Sequence, residues 1–147
     1  MILPDVNVFV LAHRSDQRDH EPMRRWLTDE VSSDRPFALA DAASAGFLRI
    51  VTNPRIFSEP TDLATAIAFV EGLAAQPTCV PVAAGARHWQ IFRDVLHAAD
   101  ARANLVPDAH LAAIAIEHGA TVATRDRGFA RFSGVRWLDP LDERPSA

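Results

Sequence analysis

Residues 104–126, NLVPDAHLAAIAIEHGATVATRD, carry the clearest structural signal in the chain. Apolar residues follow at helical spacing after Pro107, a residue type that suits the first turn of a helix. Gly119 is typical of the position just beyond a helix end. We therefore predict a helix over residues 107–118 and, directly after it, a short apolar strand over residues 120–124.

The same alternation of a short apolar strand and a helix runs through the rest of the sequence. Further strands are predicted over residues 2–6, 36–40, 78–82 and 135–138. Further helices are predicted over residues 7–13, 21–31 and 87–97. Two more helices begin after the predicted N-caps Asp41 and Thr61. Leu63 and Ile67 are expected on the inward face of the helix after Thr61. Trp89 is expected on the inward face of the helix over residues 87–97.

Strands and helices in this order predict an α/β fold with a central parallel sheet of four or five strands and helices on both faces. The chain has 147 residues, 48% of them apolar, which fits a single domain over residues 1–147. In open parallel sheets, ligands bind beyond the carboxyl ends of the strands, near the point where the strand order reverses. Chemistry is therefore expected at that edge.

The composition excludes several classes of protein. All 15 basic residues are arginine, so a P-loop, a phosphoacceptor receiver domain and a haloacid-dehalogenase-like phosphatase, which all need a lysine, are set aside. The single cysteine, Cys79, cannot form an internal disulfide and suits a reducing cytosol. No signal peptide and no membrane-spanning run is expected, which predicts a cytoplasmic protein.

Four aspartates are predicted to meet at the carboxyl edge of the sheet. Asp5, Asp41 and Asp126 end or follow strands, and Asp108 lies in the first turn of the helix before the fourth strand. Clustered carboxylates repel one another unless a cation joins them, and oxygen ligands favour Mg²⁺ or Mn²⁺. Each acid also has a simpler explanation: Asp41 as a helix cap, Asp108 as a partner of the helix dipole, and Asp126 as a turn residue.

Five sequence blocks together resemble one known family. They are LPDVN (3–7), GFLRIVTNPRIF (46–57), RHWQIF (87–92), NLVPDAHLAAIAIEHGATVATRDRGFARF (104–132) and GVRWLDPL (134–141). The chain resembles PIN-domain ribonucleases and, among them, the VapC-type toxins of type II toxin–antitoxin pairs. The resemblance implies a PIN-like three-layer sandwich and an endoribonuclease that depends on Mg²⁺ or Mn²⁺. It also implies a homodimer and a cognate VapB-type antitoxin as partner.

By motif, the resemblance carries residue roles over to this chain. Asp5 and Asp108 correspond to metal ligands, Asp126 to a further catalytic acid, and Asn7 to a residue that orients Asp5. The chain departs from the family at Gly46, where most members have a glutamate. Either Asp41 supplies the missing carboxylate, or the site binds one metal ion through fewer ligands.

The sequence leaves open the role of two arginines and the class of function that Gly46 favours. Arg49 and Arg125 lie in segments that could rim the acidic site and contact RNA phosphates, or they are solvated surface charges. Gly46 favours a different class of function, in which a PIN fold with weak catalysis binds RNA or a partner protein. The retained aspartates favour the nuclease.

Overall fold

Five short strands form one parallel sheet in the computed structural model, which describes residues 1–142 of the chain. In chain order the strands are β1 (Ile2–Pro4), β2 (Phe37–Ala40), β3 (Cys79–Val82), β4 (Thr121–Ala123) and β5 (Arg136–Leu138). Across the sheet the order is β3-β2-β1-β4-β5, and every neighbouring pair is parallel. The predicted parallel sheet, including the fifth strand, is confirmed.

Six helices connect the strands and cover the sheet. They are α1 (Val6–His13), α2 (His20–Val31), α3 (Asp41–Val51), α4 (Leu63–Ala74), α5 (His88–Ala99) and α6 (Leu105–Glu117). The chain runs from β1 through β2 to β3 in one direction and then crosses back to β4 on the other side of β1. Right-handed connections place the helices of these two halves on opposite faces, as a three-layer sandwich requires. Within residues 1–142, none of the helices is both long and apolar enough to cross a membrane.

The core forms where both faces of the central strands are covered. All four residues of β2 are buried, and Leu3 of β1 and Val122 of β4 are fully buried beside one another in register. Such strands are apolar along their whole length because helices lie above and below them. Helix α6 buries Ala109 and every residue from Leu111 to Ala115, and its small side chains suit close packing. The carboxyl ends of β1 and β4 are thereby fixed side by side.

All six predicted helix starts differ from the observed ones by one or two residues, and three of them concern a named cap or first-turn residue. The N-cap of α3 is Ala40, and Asp41 is the first helical residue. The N-cap of α4 is Asp62, whose carboxylate accepts a hydrogen bond from the backbone N–H of Thr65 at 3.0 Å. Helix α6 begins at Leu105, before Pro107, because a proline is tolerated anywhere in the first turn, where N–H groups have no helical partner.

Three side chains predicted to face inward are exposed. In α4, Leu63 and Ile67 face solvent, and Ala66 and Leu73 form the buried face. Trp89, in the first turn of α5, is 67% exposed. In both helices the apolar stripe is wider than the surface that the sheet and the neighbouring helices cover, so one edge of the stripe stays outside.

Candidate active site

Asp5 stands at the carboxyl end of β1 and is the N-cap of α1. Its backbone N–H donates to the carbonyl of Ala123 at 2.9 Å, which continues the pairing of β1 with β4. Its Oδ1 accepts from the N–H of Val6 at 2.7 Å, and its Oδ2 accepts from the Asn7 amide at 3.0 Å. The side chain is buried, and this burial raises the pKa of the Asp5 carboxyl despite the hydrogen bond that it accepts from Thr124. Asn7, to which the resemblance assigns the orientation of Asp5, contacts the Asp5 carboxylate.

Thr124, which follows β4, is a site residue that sequence reasoning missed. Its fully buried hydroxyl donates to Asp5 Oδ2 at 2.8 Å. The Thr124 hydroxyl oxygen in turn accepts from the Asn7 amide at 2.9 Å and from the backbone N–H of Asp126 at 3.0 Å. One hydroxyl therefore joins the first strand, the first helix and the turn after the fourth strand. A threonine at a strand end is too common to stand out in a sequence.

Asp108 approaches the same place from the first turn of α6. Burial raises the pKa of its carboxyl from 3.8 to about 6, with further contributions from the negative charges of Asp5 and Asp126. Among residues 1–142, no protein group donates a hydrogen bond to this half-buried carboxylate. The negative charge of Asp108 is therefore disfavoured, and within residues 1–142 no hydrogen bond compensates it.

Asp126 and Arg131 belong to the turn that follows β4. Asp126 is exposed and accepts from the N–H of Gly128 at 2.7 Å, in front of a 3₁₀ turn over Arg127–Arg131. The Arg131 guanidinium donates from Nε to the carbonyl of Gly128 at 2.9 Å, and its charge lowers the pKa of Asp108. The turn thus brings one negative and one positive group to the site, and no sequence pattern marks Arg131 as a site residue.

The three aspartates Asp5, Asp108 and Asp126 all line one open cleft of about 1010 Å³. The walls of this cleft come mainly from α1, α3 and α6, and most of the lining is apolar. Residues of the walls include Val10, Gly46, Ile50, Phe92, His110 and Leu111. Acids that are 121 residues apart in sequence therefore meet at the carboxyl ends of β1 and β4, the two strands at the reversal of strand order.

A model of the PIN domain family matches residues 2–135 of this chain. The chain belongs to the PIN domain family. Ribonuclease VapC43 of Mycobacterium tuberculosis is 46% identical to it over 142 residues, which cover 97% of each chain. Ribonuclease VapC25 of the same organism is 45% identical over 140 residues, which cover 95% of this chain and 99% of the relative. The crystal structure of VapBC2 from Rickettsia felis bound to promoter DNA has the same fold, with a TM-score of 0.69, 15% identity and coverage of 94% and 98%.

Gly46 lies in the cleft wall of this PIN domain, opposite α1. A Cβ atom built at Gly46 would lie 2.7 Å from Cγ2 of Val6, closer than two carbon atoms can approach. Val6 is β-branched and stiff, so it does not easily turn away. The space that a glutamate side chain would need at this position is therefore filled by a methyl group of α1.

Asp41 does not join the other acids in this PIN domain. It follows β2, faces a separate and smaller depression beside Val82 of β3, and does not line the cleft. Its Oδ1 accepts from the N–H of Ala42 at 2.7 Å, so the carboxylate is engaged at the start of α3. The placement disfavours the hypothesis that Asp41 replaces the missing glutamate.

The two arginines predicted to contact RNA differ in their surroundings. Arg49 lines the cleft, is exposed, and forms no ion pair with any of residues 1–142. Arg125 donates to both oxygens of Asp139 at 2.7 and 2.8 Å and lies 3.4 Å from Asp19. The carboxylate of Asp139 is almost fully buried. Arg49 is free to meet a phosphate, whereas the charge of Arg125 is already paired.

The donor set of the cleft suits a hard divalent cation. Its carboxylate oxygens are the ligands that Mg²⁺ and Mn²⁺ prefer, and the raised pKa values of Asp5 and Asp108 indicate negative charge that lacks compensation. Over residues 1–142, no group of three or more acidic, histidine or cysteine side chains lies in an arrangement that could hold a metal ion. Mg²⁺ does not need such a group, because it commonly keeps several waters and uses one or two carboxylates. The residues therefore fit an open, partly hydrated site.

Proposed function

We propose that this PIN domain is a metal-dependent endoribonuclease, the toxin of a type II toxin–antitoxin pair. One observation carries the proposal. Asp5, Asp108 and Asp126 share one cleft, and burial and mutual repulsion raise the pKa of the first two. An anionic RNA backbone cannot approach such a cluster unless a cation compensates the charge.

The metal ion that we propose is Mg²⁺, with Mn²⁺ as an alternative, bound through Asp5 and Asp108. When bound, such an ion polarises the phosphodiester and makes a coordinated water more acidic. The protein keeps Asp5 in one orientation through Val6, Asn7 and Thr124, so that this ligand needs no reorganisation when the substrate arrives.

The remaining charged groups of the cleft serve the substrate in this proposal. Asp126 is exposed at the rim, where its carboxylate can accept a proton from an attacking water through solvent. Arg49 holds a neighbouring phosphate from the wall formed by α3. Arg131, whose charge reaches Asp108 from the turn after β4, offsets the charge of a phosphate oxygen bound there.

The partners follow from the family. Relatives that are 44–46% identical are named VapC ribonucleases, and the R. felis structure contains a VapBC complex. We propose that this chain cleaves RNA, forms a homodimer, and is neutralised by a VapB-type antitoxin. The mostly apolar walls of the cleft offer surface that such a protein partner can cover, which would also bar RNA from the acids.

The test combines metal binding with cleavage. Purified protein should cleave total RNA in Mg²⁺ or Mn²⁺, stop in EDTA, and resume when the ion is restored. Calorimetry should detect Mg²⁺ binding to the wild type and much weaker binding to Asp108→Asn. Asp41→Asn is the matched control, an acid in the first turn of another helix and outside the cleft, and it should behave as the wild type. Undiminished cleavage in EDTA would contradict the proposal.

A second candidate function is binding of RNA or a partner protein without efficient catalysis. The observation that favours it is Gly46, where Val6 blocks the space of the usual acid. This candidate predicts Mg²⁺ binding in the calorimeter without cleaved RNA ends. Sequencing of RNA ends after induced expression separates the two candidates, because only a nuclease leaves cuts that Asp108→Asn abolishes.

A further inference from the structure

A strip of aromatic rings leads from the cleft wall to the protein surface. Phe92 of α5 and His110 of α6 line the cleft, and their ring centroids are 5.4 Å apart at an angle of 87°. One helical turn before Phe92 lies Trp89, with its ring centroid 6.1 Å from that of Phe92 and an interplanar angle of 74°. The Trp89 indole is 67% exposed, so the strip that starts at the cleft wall ends in an open indole at the surface, one ring beyond the cleft lining.

The buried ring of His88 packs against Phe92 and His110 of this strip. Its ring is buried, stacks on Phe92 with centroids 5.4 Å apart, and meets the edge of His110 at 4.6 Å. Neither ring nitrogen of His88 has a hydrogen-bond partner among residues 1–142. Burial, together with the charge of His110, lowers the pKa of His88, so the ring is neutral and packs as an aromatic group. Phe92 is thereby fixed in place, and Trp89 rests on a rigid neighbour.

The surroundings of Trp89 argue against a surface made for another protein. Its neighbours on the outer side of α5, Gln90 and Arg93, are polar and exposed. A protein interface needs a contiguous apolar patch of several hundred Å² or more, and the apolar cleft wall that ends at Phe92 and Trp89 is not continued by these polar neighbours on the outer side of α5. A single flat ring beside a nuclease cleft instead matches the size and shape of one nucleobase.

We propose that Trp89, backed by Phe92 and His110, forms a subsite that stacks on an unpaired base of the RNA substrate. The proposal rests on the proposed function, because it takes RNA as the ligand of the neighbouring acids. The strand would cross the carboxylates with its backbone and lay a flanking base on the indole, two ring-to-ring steps from His110. Stacking accepts every base, since each has a π face. It therefore selects single-stranded RNA over duplex RNA without selecting a particular sequence. A duplex already stacks its own bases and gains nothing from the ring.

Tryptophan fluorescence tests the subsite without relying on catalysis. The full-length protein is titrated in Ca²⁺ with a short mixed-sequence single-stranded RNA, and a gel verifies that the RNA stays intact. The same strand annealed to its complement is the second ligand. Stacking quenches indole emission, so the single strand should quench the wild type and Trp137→Phe but not Trp89→Phe. Trp137 is half-buried against the core and provides the matched control.

Affinity gives a second readout. Trp89→Ala should weaken binding of the single strand by about five- to tenfold and leave duplex binding almost unchanged. Because the indole is exposed, the variant should keep the melting temperature of the wild type, which a thermal scan verifies. Equal quenching in Trp89→Phe and wild type, or equal single-strand affinity in Trp89→Ala and wild type, would overturn the subsite. Unchanged RNA affinity together with altered self-association in sedimentation would assign the ring to a protein contact and overturn it as well.

The outcome is separable from that of the proposed function. Quenching that depends on Trp89 in a protein whose cleavage ignores EDTA would leave the subsite standing and remove the metal mechanism. Cleavage that requires Mg²⁺, together with quenching that does not depend on Trp89, would support the metal mechanism and overturn the stacking subsite.

Discussion

Replacing Asp108 with asparagine should stabilise the metal-free protein. The carboxyl has a pKa of about 6 in the folded chain against 3.8 ordinarily, which corresponds to roughly 3 kcal/mol of destabilisation once it is ionised. Because the side chain is half-buried, solvent screens part of this repulsion, and we expect about 1–2 kcal/mol. For a chain of this length that raises Tm by roughly 3–7 °C. Asparagine removes the charge and breaks no hydrogen bond that Asp108 accepts within residues 1–142.

The assay is thermal unfolding in EDTA at several pH values. A carboxyl with a raised pKa holds its proton more tightly in the folded state, so its contribution makes the free energy of unfolding fall as pH rises from 3.8 to about 6. The gap in Tm between Asp108→Asn and wild type should therefore be full at pH 8 and narrow at pH 5. Added Mg²⁺ should shrink or reverse the gap, because it stabilises only the protein that binds it well.

Asp41→Asn is the matched control for this measurement. Both acids lie in the first turn of a helix, so both substitutions lose a small favourable interaction with the helix dipole. Only Asp108 faces other carboxylates. If Asp108→Asn in EDTA melts no higher than Asp41→Asn, or if its gap to the wild type does not depend on pH, the electrostatic reasoning is refuted.

Three further predictions concern residues around the cleft. Thr124→Val should lower stability by about 1–3 kcal/mol and impair cleavage, since it removes a buried hydroxyl with three hydrogen bonds; denaturant unfolding and a cleavage assay measure both effects. Gly46→Glu should destabilise the protein, because its Cβ meets Val6; a single variant as stable as the wild type would contradict this clash. The double variant Val6→Ala/Gly46→Glu should recover stability and, in calorimetry, bind Mg²⁺ more tightly than the wild type. Arg125→Met should lower the free energy of unfolding by about 2 kcal/mol, because the buried Asp139 carboxylate loses its ion pair, and the folded variant should keep the RNA affinity of the wild type. A loss of RNA affinity at unchanged stability would instead favour a role in RNA binding.

The sequence predicted the acids of the cleft because their setting is local. An aspartate directly after a buried apolar strand is conspicuous, and parallel strands gather such residues at one edge. That reasoning applied equally to Asp5, Asp41 and Asp126, and the structure separates them. Asp41 follows β2, which lies between β1 and β3, and its carboxylate turns toward β3. Strand order decides which acids meet, and strand order is a property of long-range packing.

The residues that were missed or misplaced also depend on tertiary contacts. Thr124 gains its role only because β4 pairs with β1, which places its hydroxyl beside Asp5. Helical periodicity marks Leu63 and Trp89 as members of apolar stripes, but it cannot tell how far a neighbouring element extends to cover the stripe. The exposed edge of α5 at Trp89 is the part of the molecule where the pattern and the packing disagree most.

The pairing of the first strand with the fourth has a consequence for the chain while it is being made. A ribosome has added Asp5 more than 115 residues before it adds Thr124 and Asp126. Until then β1 has no neighbour on that side, and the acids have not come together. A nascent molecule that lacks β4 therefore lacks the assembled acidic site. The site is complete only after β4 has been made and has paired with β1, so assembly of the site is one of the last steps of folding that depend on chain synthesis.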